Sequence, residues 1–147
     1  MFDELNKYQN NGHFFFEKGG VLSQVSKDVP ELPGVYYILR LAKGKIDLVY
    51  IGKSGTIEQN GDFKNQLLRK RLNTCIELGR NDKQEKDIKR QDFFKQKIDE
   101  ENIDALDIYW FVTFDENHQD LPGYVEALLI QRYFDTFGEL PPWNKSY

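Results

Sequence analysis

Two tyrosine-containing runs hold the residue types best suited to chemistry. Residues 34–38 read Gly-Val-Tyr-Tyr-Ile, and residues 49–53 read Val-Tyr-Ile-Gly-Lys. Both runs are short and rich in β-branched and aromatic residues, and the connector between them contains glycine, which is typical of a β-hairpin. Phenols that meet on one face beside a glycine and a lysine are unusual for packing alone. The sequence therefore predicts a strand pair that carries two phenols and a cation, Lys53, near a strand end.

The length of the hairpin loop decides whether the two phenols share a face. A three-residue loop over positions 42–44, with Gly44 in the left-handed conformation beside a bulge, would place Tyr36 directly opposite Tyr50. Cross-strand partners lie on one face of a sheet. A two-residue loop would pair Tyr37 with Tyr50 instead. We predict the three-residue loop and a shared face for Tyr36 and Tyr50.

A single carboxylate stands out in the last predicted helix. Residues 125–130 read Val-Glu-Ala-Leu-Leu-Ile, and Glu126 is the only charge among them. A buried carboxylate is costly unless it is paired or bound to a metal ion. A glutamate in a first turn is also favoured by the helix dipole. A metal ligand and a structural glutamate are both open interpretations.

Three basic residues follow one another at positions 69–71 in a second predicted helix, with Asp62 as its N-cap and Gly79 as its stop. The spacing of apolar residues puts Arg71 at the border of the buried stripe, while Arg69 and Lys70 point toward solvent. A guanidinium offers a planar fork of donors that suits phosphate oxygens. A solvated surface arginine is the alternative.

Hydrophobic spacing along the whole chain predicts two strands, two helices, a strand, a helix and an extended tail. That order is typical of an α+β fold with a small, mostly antiparallel sheet. Residues 1–32 are expected to pack on the core as an N-terminal extension, with a possible helix over 21–29, and residues 33–147 to form one domain. The later elements are expected at 91–101 (helix), 106–114 (strand) and 122–137 (helix, stopped by Gly138).

Composition describes a globular chain of 147 residues with one cysteine and a net charge of −4. No apolar run reaches membrane-spanning length, and the start of the chain has no signal-peptide pattern. We therefore expect a cytoplasmic protein with no membrane partner.

Charge is distributed unevenly along the chain. Residues 64–97 carry eleven basic and five acidic side chains, whereas residues 98–147 carry two basic and eleven acidic ones. The basic stretch predicts contact with nucleic acid in spite of the negative total. A solvated helical face with ion pairs is the alternative.

Together the runs Gly34-Val35-Tyr36 and Tyr50-Ile51-Gly52 resemble the signature of the GIY-YIG endonuclease family. The resemblance covers residues 33–145 and implies a three-stranded antiparallel sheet flanked by helices. It implies hydrolysis of DNA phosphodiester bonds with one divalent cation, Mg²⁺ or Mn²⁺. The implied catalytic residues are Tyr36, Tyr50, Arg71 and Glu126, with Glu126 as the metal ligand, and the implied substrate-binding residues are Lys53, Lys70 and Asn144.

Two features depart from the family pattern. Arg71 follows Gly52 by nineteen positions, which is long and is similar to the restriction members. Cys75 stands one turn after Arg71, where the family often has His or Tyr. A thiol cannot replace a phenol well, so a DNA-binding module that has lost turnover is the main alternative, and a protein-interaction domain is a weaker one. The short chain also suggests a homodimer or a partner subunit for targeting.

Overall fold

The structure is a computed structural model that describes residues 1–64, 66–76 and 88–147, and its fold is α+β. The described strands are β1 (Asn11–Phe16), β2 (Gly34–Ala42), β3 (Lys45–Ser54), β4 (Thr56–Ile57), β5 (Phe63–Lys64), β6 (Cys75–Ile76), β7 (Ile88–Lys89) and β8 (Ala105–Val112). The described α-helices are α1 (Leu22–Val25), α2 (Leu68–Leu72), α3 (Arg90–Glu101) and α4 (Pro122–Phe137), after a 3₁₀ helix at Asp3–Lys7.

The central sheet is antiparallel and has four strands in the order β1-β8-β2-β3. The expectation of three strands was wrong because the N-terminal residues supply a fourth. Strand β1 pairs with β8 from Asn11↔Phe111 to Phe16↔Leu106. It covers backbone groups of β8 that would otherwise form an unpaired edge. Residues 1–32 thus contribute to the sheet itself, and the predicted helix over 21–29 is only the four residues of α1.

The two faces of the sheet pack against different helices. Tyr36 and Ile38 lie in a cluster with residues of α2 and α3. Val35 and Ile51 lie in a second cluster with residues of α4. This division follows from the alternation of side chains along a strand.

The hairpin turn differs from the predicted one. Strands β2 and β3 are joined by Lys43 and Gly44 alone, and both have positive φ values, 54° and 72°. This conformation belongs to the two-residue turns that match the twist of the strands. The predicted three-residue loop was therefore wrong.

A bulge in β3 restores the predicted arrangement of the phenols. Ile38 pairs with Tyr50 and Leu39 pairs with Leu48, so Val49 is an extra residue without a partner. An extra residue shifts every later pair by one and changes which side chains share a face. Tyr50 consequently lies on the face of Tyr36, although Tyr36 pairs with Gly52.

The predicted helix around the three basic residues is much shorter than expected. Only α2 is helical, and it starts after Leu67, whose ψ of −176° is extended. The Asn73 and Thr74 side chains bond to the carbonyls of Arg69 and Arg71 at the other end. Such local side-chain bonds compete with helix continuation. The predicted stop, Gly79, lies outside the described residues.

The later elements match the prediction closely. Helix α3, strand β8 and helix α4 begin and end within two residues of the expected bounds. Gly138 ends α4 in the left-handed conformation, with φ of 71°.

Candidate active site

The two glycines of the tyrosine runs are required by close packing. A Cβ on Gly34 would overlap the carbonyl oxygen of Phe111 on β8. A Cβ on Gly52 would lie 2.6 Å from Cζ of Tyr36 and 2.8 Å from Cε1 of Tyr50. The absence of a side chain at position 52 is what lets both phenol rings lie over the strand.

Replacing Gly52 by alanine should therefore disturb the site. We expect Gly52→Ala to lower the free energy of unfolding by about 1–3 kcal/mol, because the new methyl group overpacks against two rings. Gly123→Ala is the matched control, since its Cβ would make only an ordinary contact of 3.9 Å with Lys53 Nζ. Urea denaturation measures both, and equal stability of the two variants would contradict this role of Gly52.

The two phenols form a close pair. The ring centroids of Tyr36 and Tyr50 are 5.9 Å apart, with an interplanar angle of 32°. Tyr36 is fully buried and its hydroxyl has no partner of good hydrogen-bond geometry among the described residues, although Tyr50 and Arg90 lie within reach of it, whereas Tyr50 is partly exposed. The pKa of the Tyr50 phenol is well above its usual value because of the neighbouring Tyr36 and burial, although the charge of Arg90 lowers it. Tyr50 is thus the phenol that solvent reaches, and it is a hydrogen-bond donor at neutral pH.

Glu126, Lys53 and Arg71 form the charged part of the site. Burial raises the pKa of Glu126 to about 7, while the charges of Lys53 and Arg71 act in the opposite direction. Lys53 Nζ also approaches Gly123 in the first turn of α4. Arg71 Nε is buried and has no hydrogen-bond partner among the described residues. One carboxylate thus interacts electrostatically with two cations.

The site lies at an edge of the sheet. Lys53 pairs with Val35, so it belongs to the face that α4 covers, while the phenols belong to the opposite face. Strand β3 is the last strand of the sheet. Groups from the two faces can therefore meet around this strand.

Asn144 supports the same strand from outside. Its side-chain nitrogen donates to the carbonyl of Ile51 at 2.9 Å, and its side-chain oxygen accepts from the Ile51 N–H at 3.0 Å. The Trp143 N–H donates to the carbonyl of Val49, the bulge residue. Both amide atoms of Asn144 are thus engaged by β3, which favours a supporting role over the predicted substrate contact.

The other predicted basic contact lies apart from this cluster. Lys70 is exposed on α2, and its backbone N–H donates to the carboxylate of Glu31. Its side chain faces solvent, as the sequence indicated.

Sequence reasoning missed Arg90. Its side chain is 1% exposed, and its Nη1 donates to the carbonyls of Arg71, Thr74 and Cys75. Position 90 opens a helix within a run of charged residues, so nothing in the local pattern marks it as buried. Cys75 contributes only this carbonyl, and its side chain is exposed.

The donor set restricts which metal ion fits. No cluster of three or more His, Cys, Asp or Glu side chains occurs among residues 1–64, 66–76 and 88–147. A zinc site needs three or four protein ligands and does not fit. Mg²⁺ is commonly held by one or two carboxylates together with substrate phosphate and water. Glu126 fits that second pattern.

No family model, no curated protein and no solved structure matches the chain. Within the described part of the chain, none of the helices has the length and apolar character needed to cross a bilayer.

Proposed function

We propose that the protein is a divalent-metal-dependent endonuclease that hydrolyses DNA phosphodiester bonds. The observation that carries this proposal is a group of buried donors without partners. Among the described residues, Arg71 Nε, Arg90 Nε and the hydroxyls of Tyr36 and Thr113 are buried donors with no partner of good hydrogen-bond geometry. The first three belong to one site, where the Arg90 guanidinium lies within reach of both phenols and binds the carbonyl of Arg71. Buried donors are normally satisfied, so unpaired ones indicate a bound oxygen-rich group or water.

The charge of the site supports a phosphate ligand. Lys53 and Arg71 both act electrostatically on the one carboxylate, Glu126, and the charges of Arg90 and Glu126 both act on Tyr50, in a chain whose net charge is −4. Local positive potential in a partly buried site attracts anions more strongly than the overall charge suggests. A phosphodiester satisfies both the donors and the charge.

The side chains have separate roles in this proposal. Arg71 binds a non-bridging phosphate oxygen and offsets the charge that develops there. Tyr50 orients the attacking water and Tyr36 acts through it, since Tyr36 is enclosed. Glu126 would hold the metal ion, which when bound polarises the phosphate.

A phenol of raised pKa is a weak base at neutral pH, and this observation favours a second candidate function. A DNA-binding module that has lost turnover would keep the same donors without an active base. The resemblance to the GIY-YIG endonucleases favours the nuclease.

A plasmid nicking assay distinguishes the two candidates. We expect supercoiled DNA to be nicked with Mg²⁺ or Mn²⁺ and left intact with EDTA. Binding to DNA without nicking under any of these conditions would support the module, and absence of both would exclude nucleic acid as the ligand.

DNA affinity should depend on the basic stretch over residues 64–97. We expect Lys70→Glu combined with Arg80→Glu to weaken binding and to reduce its salt slope by about one for each phosphate that the variant no longer neutralises. Arg80 lies outside the described residues. Lys43→Glu with Lys45→Glu is a control of equal charge at the far end of β3. Equal decreases in affinity for the two double variants, measured by titration at several salt concentrations, would make the effect one of net charge alone.

A further inference from the structure

Arg90 is the most deeply buried charged residue among the described ones. Its side chain is 1% exposed and is the largest of the fully buried ones. No Asp or Glu of the described ranges forms an ion pair with it. Burial of a guanidinium without a carboxylate is costly, so another requirement must account for a charge at this position.

Part of that requirement is backbone organisation. Nη1 of Arg90 lies 2.8 Å from the carbonyl oxygens of Arg71 and Cys75 and 3.3 Å from that of Thr74. The Arg90 N–H also donates to the Thr74 carbonyl, at 2.9 Å. These bonds tie the end of α2, and therefore Arg71, to the start of α3.

The rest of the guanidinium faces the phenols. Nε of Arg90 and the hydroxyl of Tyr36 are both buried, without a partner of good geometry among the described residues. The guanidinium lies within reach of a side-chain hydrogen bond to the hydroxyls of Tyr36 and Tyr50. Burial alone would lower the pKa of Arg90, but the phenols of Tyr36 and Tyr50 raise it above its usual value. The charge on Arg90 therefore interacts with both tyrosines as well as with the backbone.

We propose that Arg90 is a positioning residue of the site. Its buried side chain holds Arg71 and the Tyr36–Tyr50 pair in one arrangement. The Arg90 guanidinium also supplies a fixed positive charge next to the phenols. The Cys75 side chain is exposed and supplies no group there. This role rests on the proposed phosphodiesterase function. It is distinct from a purely structural role, in which Arg90 would stabilise the α2–α3 connection and affect cleavage only through folding.

A double-mutant cycle separates the two roles. Arg90→Lys keeps the positive charge but loses the planar fork of guanidinium donors. Tyr50→Phe removes the hydroxyl through which Arg90 would act. If Arg90 acts through Tyr50, Arg90→Lys should lower kcat for nicking about tenfold in the wild-type background but less than about twofold in the Tyr50→Phe background, because coupled residues are not additive. The KM for DNA should change less than about threefold.

Arg90→Gln and Arg132→Gln complete the set. Arg132 forms an exposed ion pair with Glu4 at 2.8 Å and is the control for loss of a hydrogen-bonded arginine. We expect Arg90→Gln to lose at least about 100-fold in kcat and Arg132→Gln to cut like the wild type. A melting curve shows whether Arg90→Gln folds. If it does not, the double-mutant cycle with Arg90→Lys still distinguishes the positioning role from the structural one.

Equal decreases in kcat from Arg90→Lys in both backgrounds would overturn the part of the role that acts through Tyr50, and wild-type kcat in a folded Arg90→Gln variant would overturn the positioning role as a whole. In both of those cases the wild type still cuts, so the proposed function survives. A wild type that never nicks DNA with any metal overturns the proposed function and this role together.

Discussion

Glu126→Gln should abolish metal-dependent nicking and leave a folded protein. Glutamine keeps the size of the side chain but lacks the negative charge with which a carboxylate holds Mg²⁺. Glu126 is coupled electrostatically to both Lys53 and Arg71, and among the described residues no group of three or more His, Cys, Asp or Glu side chains offers a second site for the metal ion. We expect nicking in Mg²⁺ to fall by about 10³-fold or more.

The same substitution should stabilise the protein without metal, and the effect depends on pH. The pKa of Glu126 is about 7 in the folded protein, against an ordinary value of 4.5. The folded state therefore keeps a proton that the unfolded state has lost, so stability falls as pH rises from about 4.5 to about 7. Because glutamine does not ionise, the Glu126→Gln variant does not show this decrease in stability. We expect it to raise the free energy of unfolding by about 1–3 kcal/mol at pH 8 in EDTA and to change little at pH 4.

Denaturation in EDTA and in Mg²⁺, with nicking assays on the same preparation, tests both effects. Mg²⁺ should stabilise the wild type and not the variant. Glu139→Gln, an exposed glutamate after α4, is the control. Wild-type cleavage by a stable Glu126→Gln variant would exclude a single metal ion held by this residue.

Arg71→Gln should cause the second large decrease in activity. Its buried Nε is one of the unpaired donors of the site, and its guanidinium is the group assigned to the phosphate. Loss of a charged donor to a developing oxyanion lowers kcat by about 10²–10³-fold. Arg71→Lys should recover little, since an ammonium group cannot reproduce the planar fork.

The neighbouring Arg69 provides the control. It is exposed and lies 3.9 Å from Glu31, with no buried donor. We expect Arg69→Gln to weaken DNA binding slightly through net charge and to keep kcat within about threefold of the wild type. Similar decreases in Arg69→Gln and Arg71→Gln would mean that the basic segment acts only as a diffuse charge. Single-turnover nicking measures both.

The Arg90 carbonyl contacts make the Arg71 variants easier to interpret. Arg90 binds the backbone oxygen of Arg71, which every substitution keeps. A change of the Arg71 side chain therefore leaves the tie between α2 and α3 intact. A decrease in activity can then be assigned to the guanidinium itself.

Local patterns in the sequence determined the later half of the fold. Strand β8 alternates clearly, and α4 has a proline in its first turn and a glycine after its last residue, so propensity, periodicity and end signals agree. The same signals placed Glu126 within an apolar segment of α4. The types of the catalytic candidates, two phenols, a guanidinium and a carboxylate, were readable because each stands in a recognisable local run.

Only the tertiary structure decided how those groups meet. The two-residue turn alone would have put Tyr50 on the wrong face, and a bulge at Val49, which sequence alternation does not reveal, corrected it. Strand β1 joined the sheet because β8 offered an unpaired edge, and Arg90 is buried because distant carbonyls and phenols surround it. Register, edge pairing and the burial of a charge depend on partners far along the chain, and a local pattern contains no information about those partners.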